Sequence, residues 1–146
     1  MTAAPHVLLV EDNPGDVALL REELAAHLPA GATIEDVGDG ELAIAYLCRE
    51  GRYADRPPTG LVLLDVNLPR LDGPGVLAEL GRRGALAGQT IIMLTSSDAD
   101  ADVAASYAAG ARGYFRKTAN LDALRAVIAA IVALWQAQLG LRGAPR

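Results

Sequence analysis

Five side chains in this sequence are of types that could together move a phosphoryl group: Glu11, Asp12, Asp65, Thr95 and Lys117. Asp65 is the centre of the set. It closes the apolar run Leu61-Val62-Leu63-Leu64 and is followed at once by the turn residues Asn67, Pro69 and Gly73. Glu11-Asp12 closes a second apolar run, Thr95 a third, and Lys117 follows a short fourth. A carboxylate is a weak nucleophile, yet it attacks phosphorus when positive charge neutralises the transferring group. Such transfer needs chiefly positioning and stabilisation of the equatorial oxygens. Asp65 could attack while a bound cation takes one phosphoryl oxygen, Lys117 a second and Thr95 a third. The product would be an acyl phosphate on Asp65.

Bringing three carboxylates together is costly, because like charges repel and raise each other's pKa. A divalent cation removes that cost. An all-oxygen ligand set favours magnesium or manganese over zinc, and magnesium is usually held by one or two carboxylates plus water. His6 opens the first run and His27 lies near the end of the first helix, so neither is placed to help. Each residue alone has an ordinary role: a turn cap for Asp65 or Thr95, a solvated lysine for Lys117. The weight comes from separate strand ends offering complementary groups.

Those groups need strands that end at the same edge. His6 to Val10 is an apolar run, followed by Asn13-Pro14, an N-cap with proline at the first helical position. Val17, Leu20, Leu24 and Leu28 recur at helical spacing until Pro29-Ala30-Gly31. Thr33 to Val37 alternates in polarity, as an edge strand does. Glu41 to Arg49 reads as a helix, and Glu50 to Gly60 is the longest loop. Leu61 to Leu64 reads as a strand buried on both faces. Pro74 to Arg82 reads as a short helix and Thr90 to Leu94 as another buried strand. Ser97 and Asp100 form a capping-box-like start to a helix over 98–109, closed by Gly110. Gly113-Tyr114-Phe115 is a short strand, and Asn120 to Gln138 a long last helix. Residues 139–146 read as a frayed tail. Strands alternating with helices in this way predict an α/β fold, (βα)5, with a parallel sheet covered on both faces.

Composition narrows the function classes. The chain has 146 residues, 51% hydrophobic and 21% charged, which suits one globular domain with a real core. Net charge is −5, from 13 basic and 18 acidic residues, which argues against a nucleic-acid surface. No apolar run approaches the ~18 residues of a membrane span. Met1 to His6 lacks the pattern of a signal peptide, and the one cysteine, Cys48, fits a reducing cytoplasm.

The chain resembles the receiver domains of two-component response regulators. The matching pieces are Val7-Leu8-Leu9-Val10-Glu11-Asp12, Leu64-Asp65-Val66-Asn67-Leu68-Pro69-Arg70-Leu71-Asp72-Gly73, Leu94-Thr95-Ser96 and Gly113-Tyr114-Phe115-Arg116-Lys117. The resemblance implies a doubly wound, flavodoxin-like sheet in the order 2-1-3-4-5. It implies that Asp65 accepts phosphate from a sensor histidine kinase. It also implies magnesium, or manganese in its place, on Glu11 (through water), Asp12, Asp65 and the backbone carbonyl of Asn67. Tyr114 matches the family's aromatic switch, which turns inward when phosphate draws the Thr95 hydroxyl. Where the family usually has proline after the lysine, this chain has Thr118, so the geometry of that peptide bond is open. The segment Lys117-Thr118-Ala119-Asn120-Leu121, the long loop before Leu61 and the tryptophan late in the last helix are similar to small single-domain regulators that serve phytochrome-like kinases.

These readings predict a stand-alone phosphoacceptor that signals to a protein partner, and not a turnover enzyme. Two other classes fit less well. A haloacid-dehalogenase-like phosphohydrolase needs a second acid two residues after the nucleophile, where this chain has Asn67. A flavodoxin-like binding module needs a glycine- or serine/threonine-rich phosphate loop after the first strand, and none is present. The last helix is apolar over a wide arc, with Val132 and Leu139 beside the stripe of Leu124, Val127, Ile128, Ile131 and Trp135. Ala129, Ala133 and Ala137 add closely packable positions. That width predicts a homodimer through this helix.

Overall fold

The computed structural model describes residues 5–96 and 99–143. Five strands alternate with five helices: β1 (His6–Val10), α1 (Pro14–Ala25), β2 (Thr33–Val37), α2 (Gly40–Leu47), β3 (Leu61–Leu64), α3 (Gly73–Arg82), β4 (Thr90–Thr95), α4 (Asp100–Ala108), β5 (Gly113–Arg116) and α5 (Leu121–Gly143). A single 3-10 turn, Gly51–Tyr53, interrupts the loop before β3. All strand pairings are parallel, and the order is β2-β1-β3-β4-β5. The α/β fold and its strand order are those the sequence predicts, including the exposed edge at β2.

The continuous apolar runs have a direct cause. Successive side chains of a strand point to opposite faces. Leu8, Val10, Val62, Leu64, Ile91 and Met93 pack against α2 and α3. Their neighbours Val7, Leu9, Leu61, Leu63, Ile92 and Leu94 pack against α1 and α5. Each residue of β1, β3 and β4 is therefore buried whichever way it points, and burying each large apolar side chain contributes about 1.5–3 kcal/mol. This is what fixes the strand ends in space.

The helix starts follow local chemistry. Asn13 Oδ1 accepts from the amides of Gly15 and Asp16 at 2.9 and 3.1 Å, with Pro14 at the first helical position. Asp39 and Asp72 cap α2 and α3 in the same way, at 2.7 and 2.8 Å. At α4 the N-cap is Ala99, with no side-chain cap. Ser97, expected to open a capping box there, lies outside the described residues. β4 continues to Thr95 and α5 to Gly143, beyond the expected ends at Leu94 and Gln138. The peptide between Lys117 and Thr118 is trans, since no cis bond occurs among the described residues.

One expectation about α5 needs correction. Val132 is not spare surface; it is 4% exposed and belongs to the core under α1 and α5. The reason is helical spacing: four residues beyond Ile128 it lies on the same face. Leu139 lies outside the residues whose side chains are described. The outward face of α5 carries Ala126, Ala130, Ala133 and Ala137, all exposed.

At the opposite edge of the sheet from the carboxylates, His6 is buried. Its Nδ1 lies 2.5 Å from Thr33 Oγ1, and its Nε2 pairs with the Tyr46 hydroxyl. Arg56 donates to the same hydroxyl at 2.7 Å and pairs with Glu35. The cluster ties the long loop to β1, β2 and α2. Burial, and secondarily the charge of Arg56, hold the His6 imidazole below its ordinary pKa. Burial likewise pushes the Tyr46 hydroxyl up to about 12. No helix among the described residues is long and apolar enough to cross a membrane.

Candidate functional site

The sheet delivers its chemistry at the C-terminal ends of its strands, Thr95 as the last residue of β4 and Glu11, Asp65 and Lys117 one residue past β1, β3 and β5. The amide of Glu11 donates to Val37 O and that of Asp65 to Val10 O, both at 3.1 Å. The amide of Lys117 donates to Thr95 O at 2.7 Å. The ladder thus carries Glu11, Asp65, Thr95 and Lys117 to one edge. Open parallel sheets bind ligands at this carboxyl edge.

Two of the acids are buried, Glu11 at 4% exposure and Asp65 at 6%, while Asp12 is exposed. One ligand oxygen from each of Glu11, Asp12 and Asp65 lies within 4.8 Å of the others. Each buried carboxylate is oriented from its own turn. Glu11 Oε2 accepts from the Asn13 amide at 3.1 Å, and Asp65 Oδ1 from the Asn67 amide at 3.2 Å. The turn after β3 is itself wedged. A Cβ on Gly73 would collide with the Asp65 carbonyl and stand 2.9 Å from Val66 Cα, so only glycine fits there.

Lys117 spans the pocket. Its Nζ donates to Glu11 Oε1 at 2.6 Å, to Asp65 Oδ2 at 3.0 Å and to Asp16 Oδ2 at 3.0 Å. Burial pulls the ammonium's pKa down, but the hydrogen bonds to Glu11, Asp16 and Asp65 outweigh it and hold the pKa above its ordinary value. Glu11 moves the other way for a carboxylate. Burial raises its pKa, and the charge of Asp65 adds to that, against the hydrogen bonds from Lys117 and Asn13. One ammonium therefore serves three carboxylates, with Asp12 close by. The excess of negative charge and the all-oxygen donor set fit a hard divalent cation.

Thr95 is fully buried, and its position in β4 puts it on the same face as Met93. Tyr114 pairs with Met93 across β4 and β5 and packs half-buried against the core on that face. Thr95 and Tyr114 thus share one side of the sheet.

Two signals in the sequence went unused. Asp16, in the first turn of α1, reaches the pocket although it ends no strand. The signal for it was an acid one turn into the helix that leaves Glu11-Asp12. Lys117 is also the only lysine among the 13 basic residues, the rest being arginine.

The profile of the response regulator receiver domain family matches residues 7–129. The response regulator Rcp1 of Synechocystis sp. is 36% identical over 133 residues, covering 88% of this chain and 87% of Rcp1. The crystal structure of the phosphorylated cyanobacterial phytochrome response regulator RcpA superposes with a TM-score of 0.84 at 35% identity, covering 93% of this chain and 96% of RcpA. The Mn(2+)-bound form of Rcp1 superposes with a TM-score of 0.80 at 33% identity, covering 90% and 94% of the two chains.

Proposed function

The chain belongs to the response regulator receiver domain family, and from that premise we propose that it is a stand-alone phosphoacceptor switch with Asp65 as the acceptor. The observation that carries the reading is the placement of Lys117 Nζ 3.0 Å from Asp65 Oδ2, beside Glu11 and Asp12. Rcp1 is matched over 87% of its length, so the similarity runs over nearly the whole of that regulator.

The chemistry follows from the geometry. A carboxylate oxygen of Asp65 attacks the phosphorus of a phosphohistidine on the kinase. The new O–P bond forms as the N–P bond breaks, and the electron pair leaves with the imidazole nitrogen. Lys117 offers its ammonium to one phosphoryl oxygen and Thr95 its hydroxyl to another. Glu11, Asp12, Asp65 and the Asn67 carbonyl would hold magnesium, or manganese in its place, which supplies further charge neutralisation. Drawing the Thr95 hydroxyl toward the phosphoryl group frees space on its face of the sheet, into which the Tyr114 ring turns. That movement is the output, read by a downstream protein.

The kinase is a phytochrome-like sensor histidine kinase, and the chain acts in the cytoplasm. The support is the similarity to RcpA and Rcp1 over nearly the whole chain. A homodimer through α5 rests on its exposed alanine face rather than on Val132. Light scattering with and without a phosphoryl mimic tests it on wild type and Ala133→Arg; a wild type monomeric in both states removes it. Phosphotransfer profiling against the histidine kinases of the same organism tests the function. Rapid transfer from one kinase to Asp65 supports it. Repeated turnover of a phosphomonoester, in place of a single stoichiometric labelling of Asp65, would favour a hydrolase.

A further inference from the structure

The three N–H donors of Lys117 go to three carboxylates, and one of these has no part in the reading above. Glu11 and Asp65 belong with Asp12 to the set whose oxygens converge within 4.8 Å. Asp16 does not. It is anchored separately, by its amide on Asn13 Oδ1 at 3.1 Å and by its place in the first turn of α1. Its side chain is 41% exposed, against 4% for Glu11 and 7% for Asp65. With Ser96, Lys117 and Thr118 it lines a groove of about 270 Å³ beside the pocket.

A carboxylate oxygen engaged by a cation has less electron density left for an ammonium. Glu11 and Asp65 face that competition, and Asp65 also gives up an acceptor oxygen when it carries a phosphoryl group. Asp16 faces neither loss. A lysine stem is flexible and holds one geometry only where acceptors fix its head. We propose that Asp16 is a positioning residue for Lys117, keeping the ammonium at the mouth of the pocket when Glu11 and Asp65 are engaged elsewhere. The inference rests on the phosphoacceptor reading and adds to it a carboxylate that acts through Lys117 and not on the phosphoryl group.

Because Lys117 is the only lysine, its ammonium gives a single side-chain signal in a 15N-edited NMR spectrum. The experiment compares wild type, Asp16→Asn and Asp16→Glu, each with and without magnesium. In wild type the signal persists in both states, protected from exchange by its acceptors. In Asp16→Asn it persists without magnesium and is lost with it, and Asp16→Glu restores it. In parallel, the initial rate of Asp65 labelling by acetyl phosphate falls about threefold to tenfold in Asp16→Asn, the size expected for one half-exposed charge pair, and recovers in Asp16→Glu. An Asp16→Asn protein with the wild-type signal in magnesium and the wild-type rate overturns the proposal. A wild type never labelled at Asp65 overturns the phosphoacceptor reading instead, and the ammonium signal still decides the role of Asp16.

Discussion

Lys117 Nζ lies 3.0 Å from Asp65 Oδ2, although β4 stands between the strands that carry the two residues. The contact spans the sheet edge over the end of Thr95, whose carbonyl holds the Lys117 amide at 2.7 Å. A cation is thereby fixed where charge would build up in transfer to Asp65.

Replacing Lys117 by methionine leaves Glu11 and Asp65 buried without their counter-charge. Removing one partner of a buried ion pair costs more than the pair was worth. Lys117 is 15% exposed and its neighbour Asp12 is exposed, so the charges are partly screened and the expected loss is about 2 kcal/mol at neutral pH. Urea unfolding of the metal-free protein measures it, and magnesium should narrow the gap. An unchanged midpoint would mean that the carboxylates do not depend on Lys117.

Gly73→Ala places a methyl group against the Asp65 carbonyl and Val66 Cα. Backbone, not a flexible side-chain end, must give way. The expected cost is about 1–3 kcal/mol, as for overpacking elsewhere. Because the displaced backbone belongs to the acceptor, labelling of Asp65 should slow as well. A variant as stable and as fast as wild type would show that the turn after β3 is looser than its packing implies.

Asp12 brings the third carboxylate to the pocket and is the exposed one. Magnesium should stabilise wild type by mass action, by about 2.7 kcal/mol at roughly a hundredfold excess over its dissociation constant, and so raise its melting temperature. Asp12→Ala should lose most of that gain while folding normally without metal. If melting of wild type is indifferent to magnesium, the carboxylates are not its site.

His6 gives a pH dependence of known sign. Its folded-state pKa lies below the ordinary 6.5 because of burial and the charge of Arg56. Between those two values the unfolded chain binds a proton that the folded chain does not. Stability therefore rises with pH through that window and is lost as pH falls below about 6.5. Each unit of depression contributes about 1.4 kcal/mol. Glu11, held up by burial, acts in the opposite sense, so the comparison must be with His6→Gln. Wild type should lose more of its urea midpoint between pH 7 and pH 5.5 than His6→Gln does. Parallel curves would place the acid sensitivity elsewhere.

The fold was legible because its rule is local. Runs such as Leu61 to Leu64 are apolar throughout because helices cover both faces, and the alternation at Thr33–Val37 marks an edge strand. Asp65 and Glu11-Asp12 were legible because strand ends are. Asp16 was not, since nothing in a helix sequence says which way its first turn looks until the sheet beside it is built. The inward turn of Val132 was not legible, because only the sheet beneath α5 shows that its buried stripe is wide enough to take in Val132 with Ile128. Ser97 and Leu139 sit where the structure describes no residue or no side chain, so those two expectations stand where they were.

The central claim is that Asp65 takes a phosphoryl group. The direct measurement is intact-mass spectrometry of the wild type with acetyl phosphate and magnesium, followed by borohydride reduction and peptide mapping. The account predicts one added phosphoryl group per chain, reduced to homoserine at position 65, and none in Asp65→Asn. Equal labelling of Asp65→Asn, mapped to another residue, would contradict it.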